Sequence, residues 1–363
     1  LNRLKWETTT EYNTGLDASF LKGKLRFTVD VYQKYIKDLL QKKVKMPTSI
    51  GYGNGYQISY MNSGKMTNKG WEFRVDAVPF QTKDWRVGVY FNIAHNENKI
   101  TEMPDNYIEE NYTFGNGNYA YRREEGRPMG SFYGYRYKGV YQNKDATYAR
   151  DIEGNVMKDI SGNAIVMRNG SYTVAPGDAI YEDVNHDGVI NQYDIVYLGN
   201  SNPRLTGGAG LNVSYKQFKL SAIFYGRYGQ DVVNATRLNN ESMRGIDNQS
   251  TAVLRRWRNE GDQTDIPRAL YGEGYNTLGS DRFVEDASYL RLKSLSFTYR
   301  LPKKAIQRWG FNNIDVYVTG YNLFTWTKYT GQDPEVKTEN TYARDTATTP
   351  ASIQLVAGFN LSF

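Results

Sequence analysis

The amino-acid sequence predicts an all-β fold, a meander of antiparallel strands of the kind that forms a transmembrane β-barrel. Two observations carry this prediction. Apolar and polar side chains alternate with a period of two along most candidate strands, and the connections between the strands alternate strictly between short and long. Tight turns at one end of a meander and long loops at the other are typical of outer-membrane barrels, whereas a soluble sandwich has no reason to sort its loops by length.

The candidate strands follow one another along the whole chain. The clearest alternation covers 12–20, 25–32, 71–77, 85–93 and 353–363. Further candidates, in which the register is less regular and β-bulges are expected, are 205–215, 217–230, 289–301 and 312–327. Only the short segment 303–309 suggests a helical period. We therefore expect about ten strands, each with one apolar and one polar face.

The connections are what favour a barrel over other all-β folds. The short connections are 21–24, 79–84, 215–217 and 302–312, and the long ones are 41–67, 99–204, 231–284 and 328–351. In a barrel, the Trp, Phe, Val and Leu side chains of one face meet lipid, and the charged side chains of the other face line a wet lumen. Segment 131–142 resembles a strand, but the strand count places it inside a long extracellular loop or folded back into the lumen.

The composition excludes several classes of protein. The 363 residues carry a formal net charge of +6 without a basic block that would follow nucleic-acid phosphates. Cysteine is absent, which removes disulfides, thiolate catalysis and cysteine-based zinc sites, and the only histidines are His95 and His186. No apolar run suits a transmembrane helix, and no catalytic motif is present, so we expect no enzyme. The alternative to a barrel is a secreted, calcium-stabilised glycan-binding β-sandwich whose polar face lies in solvent.

Segment 183–194 reads DVNHDGVINQYD, which is the pattern of a calcium-binding loop inside the long 99–204 connection. Its oxygen donors fall at the positions that such loops use, and the predicted ligands are Asp183, Asn185, Asp187, the carbonyl of Val189, Asn191 and Asp194. Gly188 allows the sharp turn, Ile190 is expected to anchor the loop to apolar neighbours, and His186 is expected to point into solvent. Bound Ca²⁺ would rigidify the loop, while the alternative is a solvated turn that holds no ion.

The aromatic residues form two predicted groups. Trp71, Trp85 and Trp326 lie near the ends of candidate strands, where barrels collect aromatic side chains at the membrane interfaces. A second group lies in the loops, where it is expected to stack on sugar rings, to contact a partner protein or only to fill the loops: Tyr52, Tyr56, Tyr112, Tyr119, Tyr121, Tyr271 and Tyr275.

Several stretches, spaced in order along the chain, resemble the SusC/RagA branch of TonB-dependent outer-membrane transporters. They are LKWETTTEYNTG at 4–15, NKGWEF at 68–73, GRPMGSFYGY at 126–135, NSNPRLTGG at 200–208, SYLRLK at 288–293 and NLFTWTKYTGQDPE at 322–335. The final strand, with Phe359, Leu361 and Phe363, resembles the aromatic terminus that the barrel-assembly machinery reads in this family.

The resemblance implies the carboxyl-terminal part of a plugged barrel of roughly 22 strands. The plug domain and the TonB-contacting segment have no counterpart in this chain, so we expect it to be a fragment that is stable when paired with the remaining strands and plug. The expected cellular location is the outer membrane of a Gram-negative bacterium, where the chain would contact lipid and lipopolysaccharide. The loops would be extracellular and the C-terminus periplasmic.

The resemblance also implies a function. It is TonB-coupled import of an oligomeric nutrient, an oligosaccharide or a peptide, with a SusD-like surface lipoprotein as a lid over the extracellular loops. No chemistry on the cargo is implied, and the sequence assigns no cargo-binding residue.

Overall fold

The computed structural model describes residues 4–45, 57–62, 64–103, 117–120, 123–336, 338–339 and 342–363. Nine long strands within these residues form one antiparallel sheet whose spatial order follows the chain order. The strands are β1 (Thr8–Phe20), β2 (Leu25–Lys37), β3 (Lys65–Gln81), β4 (Trp85–Glu102), β5 (Leu205–Tyr215), β6 (Phe218–Tyr228), β7 (Tyr289–Arg300), β8 (Asn313–Thr327) and β9 (Gln354–Ser362). The all-β meander is confirmed, with nine strands in this sheet rather than about ten.

Short and long connections alternate along the sheet, as predicted. The short ones are the 3-10 turn Leu21–Gly23, residues 82–84, residues 216–217, and a compact segment with the helix Lys303–Ile306 and the 3-10 turn Gln307–Trp309. Lys22 and Lys216 adopt left-handed backbone conformations, with φ of 56° and 51°, which lets the chain reverse within a few residues. The long connections, 38–64, 103–204, 229–288 and 328–353, begin and end at the opposite end of the sheet.

β-Bulges interrupt the register in the later strands, as expected, and in one early strand. The pairing of β6 with β7 shifts after Ile223, so that Lys293 is an extra residue of β7 there. The pairing of β7 with β8 shifts after Leu292, where Lys293 stands against two residues of β8, Asn322 and Leu323. The strand β5 pairs without any shift on both sides, contrary to the expectation for 205–215. An unexpected shift lies between Ala77 and Phe80 of β3.

The long connections carry secondary structure of their own. Their antiparallel strand pairs are Leu40–Lys45 with Gln57–Asn62, Ser131–Gly134 with Val196–Asn200, Tyr137–Val140 with Ala179–Tyr181, Arg168–Asn169 with Tyr172–Thr173, Asp231–Asn234 with Val284–Asp286, and Thr338–Glu339 with Tyr342–Asp345. Their helical segments are Ala235–Asn240 and the 3-10 turns Asp145–Thr147, Gln192–Asp194, Thr251–Arg255, Tyr275–Thr277 and Asp281–Phe283. Segment 131–142 therefore lies within a long loop, one of the two places predicted for it.

The buried core lies mainly in these loops and not in the large sheet. Side chains such as Phe132, Tyr133, Ile190 and Phe283 are completely or almost completely buried, and they belong to 103–204 and 229–288. Within the described ranges no second sheet packs on the large one, which is not the arrangement of a sandwich. No helix in the described part of the chain has the length and apolar character needed to span a membrane.

Candidate functional site

The odd-numbered face of β4 belongs to a continuous apolar face of the large sheet. Val213 lies directly opposite both Val87 and Leu220, and the same row continues through Phe297, Val318 and Ala357. No protein covers this face among the described residues: Val318 is 51% exposed and Leu355 is 76% exposed. Exposing such a face to water costs about 25 cal/mol per Å² of apolar surface, so it suits contact with lipid.

Aromatic side chains border the apolar face at the tight-turn end. One row across six strands consists of Trp85, Tyr215, Phe218, Tyr299, Val316 and Phe359. The ring centroids of Trp85 and Tyr215 lie 4.3 Å apart, and those of Phe218 and Tyr299 lie 4.9 Å apart. Tyr and Trp side chains combine an apolar ring with a polar group, and aromatic rows of this kind are typical of the interface between lipid and water.

The opposite border is set by Trp71 and Trp326. Trp71 lies opposite His95, which is ten residues beyond Trp85 on β4. Ten strand residues tilted by about 40° span ~25 Å, the height of the apolar band of an outer-membrane barrel. Trp85 and Trp326 lie at strand ends, as predicted, but Trp71 lies inside β3, because β3 and β4 extend beyond the apolar band toward the long loops.

The other face of the sheet is polar and charged. Arg74 donates two hydrogen bonds to Asp76, at 2.7 and 2.8 Å, and Arg300 donates two to Asp315 at the same distances. Hydroxyl groups also bond across neighbouring strands: Thr28 donates to the Asp17 carboxylate, Ser221 donates to Asn212, and Ser296 pairs with Thr319. A face of paired polar and charged groups suits contact with a water-filled lumen.

The long connections 103–204 and 229–288 fold together into one unit, called here the loop domain (residues 117–120, 123–204 and 229–288). Its core is rich in tyrosine, with Tyr133, Tyr181 and Tyr275 at most 3% exposed. The rings of Tyr181 and Tyr275 meet edge to face, with their centroids 5.3 Å apart. Because Tyr181 and Tyr275 come from different connections, neither loop can form this core alone.

Asp178 links the two halves of the loop domain. Its fully buried carboxylate accepts hydrogen bonds from Arg268 Nε at 2.7 Å, from the Tyr172 hydroxyl at 2.7 Å and from Asn276 Nδ2 at 3.2 Å. Burial, together with the hydrogen bond and charge of Asp178, raises the pKa of Tyr172, and the hydrogen bond from Arg268 to Asp178 raises the pKa of that guanidinium. Such a satisfied buried network holds the two connections in one arrangement.

The first half of the predicted calcium loop is built from turns in which side-chain oxygens accept backbone N–H groups. Asp183 accepts from the N–H of Gly188 at 2.8 Å and from that of Asp187 at 3.3 Å. Asn185 accepts from the N–H of Asp187, and Asp187 accepts from that of Val189 at 2.8 Å. Gly188 has φ of +79°, as its place at the sharp turn requires.

The second half of the loop ends in a capped 3-10 turn. The carboxylate of Asp194 accepts hydrogen bonds from the N–H groups of Val184 and Asn191, both at 2.8 Å, and its burial raises its pKa. The side-chain nitrogen of Asn191 donates to the carbonyl of Val189 at 3.1 Å. If Asn191 and the carbonyl of Val189 are to bind the same cation, the Asn191 amide must rotate so that its oxygen, and not its nitrogen, faces that carbonyl.

The surroundings of the loop agree with two expectations from the sequence. Ile190 is fully buried in the tyrosine core, and its N–H and carbonyl bond to Arg168 and Asn169. His186 is exposed. Among the described residues no three acidic or histidine side chains are grouped so that they could hold a metal ion.

Comparison with known proteins identifies the architecture. The family described as "TonB dependent receptor-like, beta-barrel" matches residues 2–323. The chain belongs to this family. The resemblance and the partial-barrel fold expected from the sequence are thereby confirmed. The family consists of outer-membrane receptors and not of enzymes.

Individual relatives of this TonB-dependent receptor-like barrel are similar over nearly its whole length. TonB-dependent receptor P3 of Formosa agariphila is 31% identical over 93% of the chain, and TonB-dependent receptor SusC of Bacteroides thetaiotaomicron is 30% identical over 99%. A solved structure of the RagAB peptide transporter matches with a TM-score of 0.72 and 28% identity, covering 99% of this chain and 36% of that one. The chain spans 32% of the length of each of these two curated relatives.

Two of the sequence motifs of the TonB-dependent receptor-like barrel contact each other. Arg291 of the SYLRLK motif bonds to Glu335 at 2.9 Å and to Asp333 at 2.5 Å, and Lys293 bonds to Glu335 at 2.9 Å. Arg291 is almost completely buried. Burial opposes ionisation of Asp333, but the N–H groups of Ala351 and Glu335 and the Arg291 guanidinium outweigh it and hold its pKa below the usual range. The last long connection of the barrel is thereby fastened to β7.

The predicted loop tyrosines have different surroundings. Tyr119 and Tyr275 are buried in the loop domain and pack against protein, which contradicts a role in stacking on sugar. Tyr271 is 76% exposed. The other four, Tyr52, Tyr56, Tyr112 and Tyr121, lie outside the described residues.

The predicted assembly-signal residues lie on the apolar face of β9 or just beyond the end of this strand. Phe359 and Phe363 are 67% and 81% exposed, and the ring of Phe363 lies 5.0 Å from that of Phe311. Leu361 is opposite Ile314. Their recognition by an assembly machinery stays a prediction.

Sequence reasoning missed the charged networks centred on Asp178 and Arg291. The charged partner of Asp178 is 90 residues away in the chain, the acidic partners of Arg291 are 44 and 42 residues away, and no local spacing marks them. The only available signal was that both ends of the Arg291 network lie in stretches that resemble the family.

Proposed function

We propose that the chain forms part of the wall and the extracellular loops of an outer-membrane transporter. This transporter imports oligomeric nutrients with energy supplied through TonB. The observation that carries the proposal is the two-faced sheet: an uncovered apolar face about 25 Å high between aromatic rows, and a hydrogen-bonded polar face behind it. The long loops then lie outside the cell, and the tight turns and the C-terminus lie on the periplasmic side.

The cargo is proposed to be an oligosaccharide or a peptide, bound and released without chemical change. The similarity to the RagAB peptide transporter supports a peptide as the cargo. The similarity to SusC does not decide between a peptide and an oligosaccharide. TonB acts through the plug, and the remaining strands and plug complete the lumen.

A SusD-like surface lipoprotein is proposed to cover the loop domain. Support comes from large apolar side chains that the loop domain leaves in solvent, with Ile152, Ile160 and Ile246 exposed by 79%, 107% and 92%. Ile152 and Ile160 occupy equivalent positions in two consecutive turns, DIEGN and DISGN, each closed by hydrogen bonds to its aspartate. Rigid turns that present apolar tips are suited to contact with a partner.

Uptake by cells that produce the whole transporter tests this function. We expect the protein to need detergent for extraction, and one labelled cargo class, oligopeptide or oligosaccharide, to enter only when TonB is present. The double variant Ile152→Asp, Ile160→Asp should reduce co-purification of the lipoprotein, while Ser161→Asp at the same turn should not. Recovery of the chain in the buffer-soluble fraction contradicts the proposal.

We propose that the loop 183–194 holds a structural Ca²⁺. Asp183, Asn185 and Asp187 would supply side-chain oxygens, with the carbonyl of Val189, Asn191 and Asp194 completing the set. The turns around Gly188 support this, since they bring Asp183, Asn185 and Asp187 within hydrogen-bonding distance of one another. Extracellular modules bind Ca²⁺ at about 0.1–1 mM, so the ion would be bound at the cell surface.

Terbium luminescence in the whole transporter tests the calcium loop. Tyr193 neighbours the predicted ligand Asp194 and should sensitise bound Tb³⁺, and Ca²⁺ should quench the signal by competition. Asp187→Ala should abolish the signal. Asp151→Ala, which removes a similar turn aspartate outside the loop, should leave it unchanged. A signal that survives Asp187→Ala rejects the site.

A further inference from the structure

The apolar face of the large sheet contains a groove near the strand ends that lead into the loop domain. Its volume is about 730 Å³, and its surface is mostly apolar. The floor is made by residues with little or no side chain, namely Gly207, Gly208, Ala209 and Gly226, and the walls are Phe91 and Ile93 on one side and Leu290 and Trp326 on the other.

Strand register explains the shape of the groove. Ile93, Gly207, Gly226, Leu290 and Trp326 lie directly opposite one another on five successive strands. The two glycines in the middle of this row leave a depression between large side chains. The row is on the apolar face, close to its border with the long loops, so lipid is the medium that reaches it.

The upper rim of the groove carries charge. Lys328 is exposed and lines the groove together with Asp286, whose Oδ1 accepts the N–H of Ser288 at 2.8 Å. The other cationic lining residue, Arg227, donates from Nε to the hydroxyl of Tyr225 at 3.1 Å and belongs to the polar face. Lys328 is therefore the cation available to a group that enters from the membrane surface.

We propose that this groove binds a lipid of the surrounding membrane that has an anionic headgroup. An acyl chain lies on the glycine floor between the Phe91 and Trp326 walls, and the headgroup phosphate contacts the ammonium of Lys328. The combination of an apolar slot with a cation at its mouth matches the two parts of such a lipid. The inference rests on the proposed placement of the apolar face in the membrane.

Native mass spectrometry of the whole transporter in detergent tests the groove, with dioleoylphosphatidylglycerol and dioleoylphosphatidylcholine as probes at equal concentration. We expect preferential retention of phosphatidylglycerol. Ala209→Phe fills the floor and should abolish retention of both lipids, and Lys328→Gln should lower retention of phosphatidylglycerol about fivefold with little effect on phosphatidylcholine. Inorganic phosphate should not compete, because it lacks the chain.

The matched control is Leu211→Phe, which enlarges a side chain on the same strand and face outside the groove. It should retain lipid as the unmodified protein does, and thermal unfolding in detergent verifies that each variant is folded. The proposal is overturned if the Ala209→Phe variant retains as much lipid as the unmodified protein does. It is also overturned if the Lys328→Gln variant keeps the same preference for phosphatidylglycerol over phosphatidylcholine. Failure of the membrane placement itself is distinguishable, because the unmodified protein would then be soluble without detergent.

Discussion

At the scale of the residue, the direction in which a side chain points decides what surrounds it. On β9, Leu355 points outward beside Gly320, whereas Asn360 lies opposite Asp315 on the polar face. Both side chains are exposed in the sheet by itself, so exposure does not distinguish them. Only the medium on each side does.

Substitution by lysine separates the two faces. Leu355→Lys places a charge near the middle of the apolar band and should lower the free energy of unfolding by about 2–4 kcal/mol. Asn360→Lys brings a cation toward Asp315 and should change it by less than about 1 kcal/mol. Urea unfolding of the whole transporter in lipid vesicles measures both, and equal losses would contradict the assignment of faces.

The Asp333 carboxylate makes the attachment of the last long connection dependent on pH. Its pKa is lowered in the folded state, so its ionised form stabilises the fold above the ordinary value of about 3.9, and this stabilisation is lost as the pH falls through the lowered value. We expect amide exchange at 329–336, corrected for intrinsic rates, to accelerate at about pH 3 relative to pH 6 in the whole transporter.

The variant Asp333→Asn serves as the control for this pH effect. It removes the titrating group while leaving Glu335 to pair with Arg291 and Lys293. Exchange in 329–336 should then be faster than in the unmodified protein at pH 6 and should lose most of its pH dependence. Protection that is identical at both pH values in the unmodified protein argues against a role for Asp333.

At the scale of the element, the long connections are folded structures and not linkers. Buried tyrosines from two connections share a core, and short strand pairs satisfy the backbone groups that the core would otherwise leave unpaired. The loop domain therefore owes its order to contacts between segments that are far apart in the chain, such as Asp178 with Arg268.

Removal of Asp178 tests how the loop domain is held together. Asp178→Ala leaves Arg268 and Asn276 without their shared acceptor, and we expect a loss of about 2–4 kcal/mol, because Arg268 is partly exposed and regains some hydration. Hydrogen exchange should accelerate in 172–181 and 268–278 but not in β4 or β5. Asp151→Ala, in an exposed turn, should have little effect, and acceleration throughout the sheet would indicate a different role.

At the scale of the whole molecule, the nine-stranded sheet is open. Its outer strands are β1 and β9, and neither has a second neighbour among the described strands. In lipid, unpaired backbone groups cost several kcal/mol each, so an open sheet of this kind is stable only when its edges are paired. The relatives, of which the chain spans about a third, are long enough to supply the missing strands.

Strand complementation follows from the open edges. We expect this chain, refolded alone in detergent, to yield no compact barrel, and to yield one when it is refolded with the remaining part of the transporter. Resistance of the folded barrel to unfolding by dodecyl sulfate, seen as altered mobility on a gel, is the measurement. A compact, resistant form of the isolated chain would contradict this expectation.

The sequence by itself determined the strands, their order and the two kinds of face, because side-chain alternation is a local property and a meander pairs only neighbours in the chain. It also located the calcium-loop pattern, in which the turns around Gly188 involve residues at most five positions apart. Only the tertiary structure decided that the loops share a tyrosine core, that Arg291 holds Asp333, and that two glycines open a groove between aromatic walls. These features depend on which distant residues become opposite one another, and that is set by strand register and loop packing.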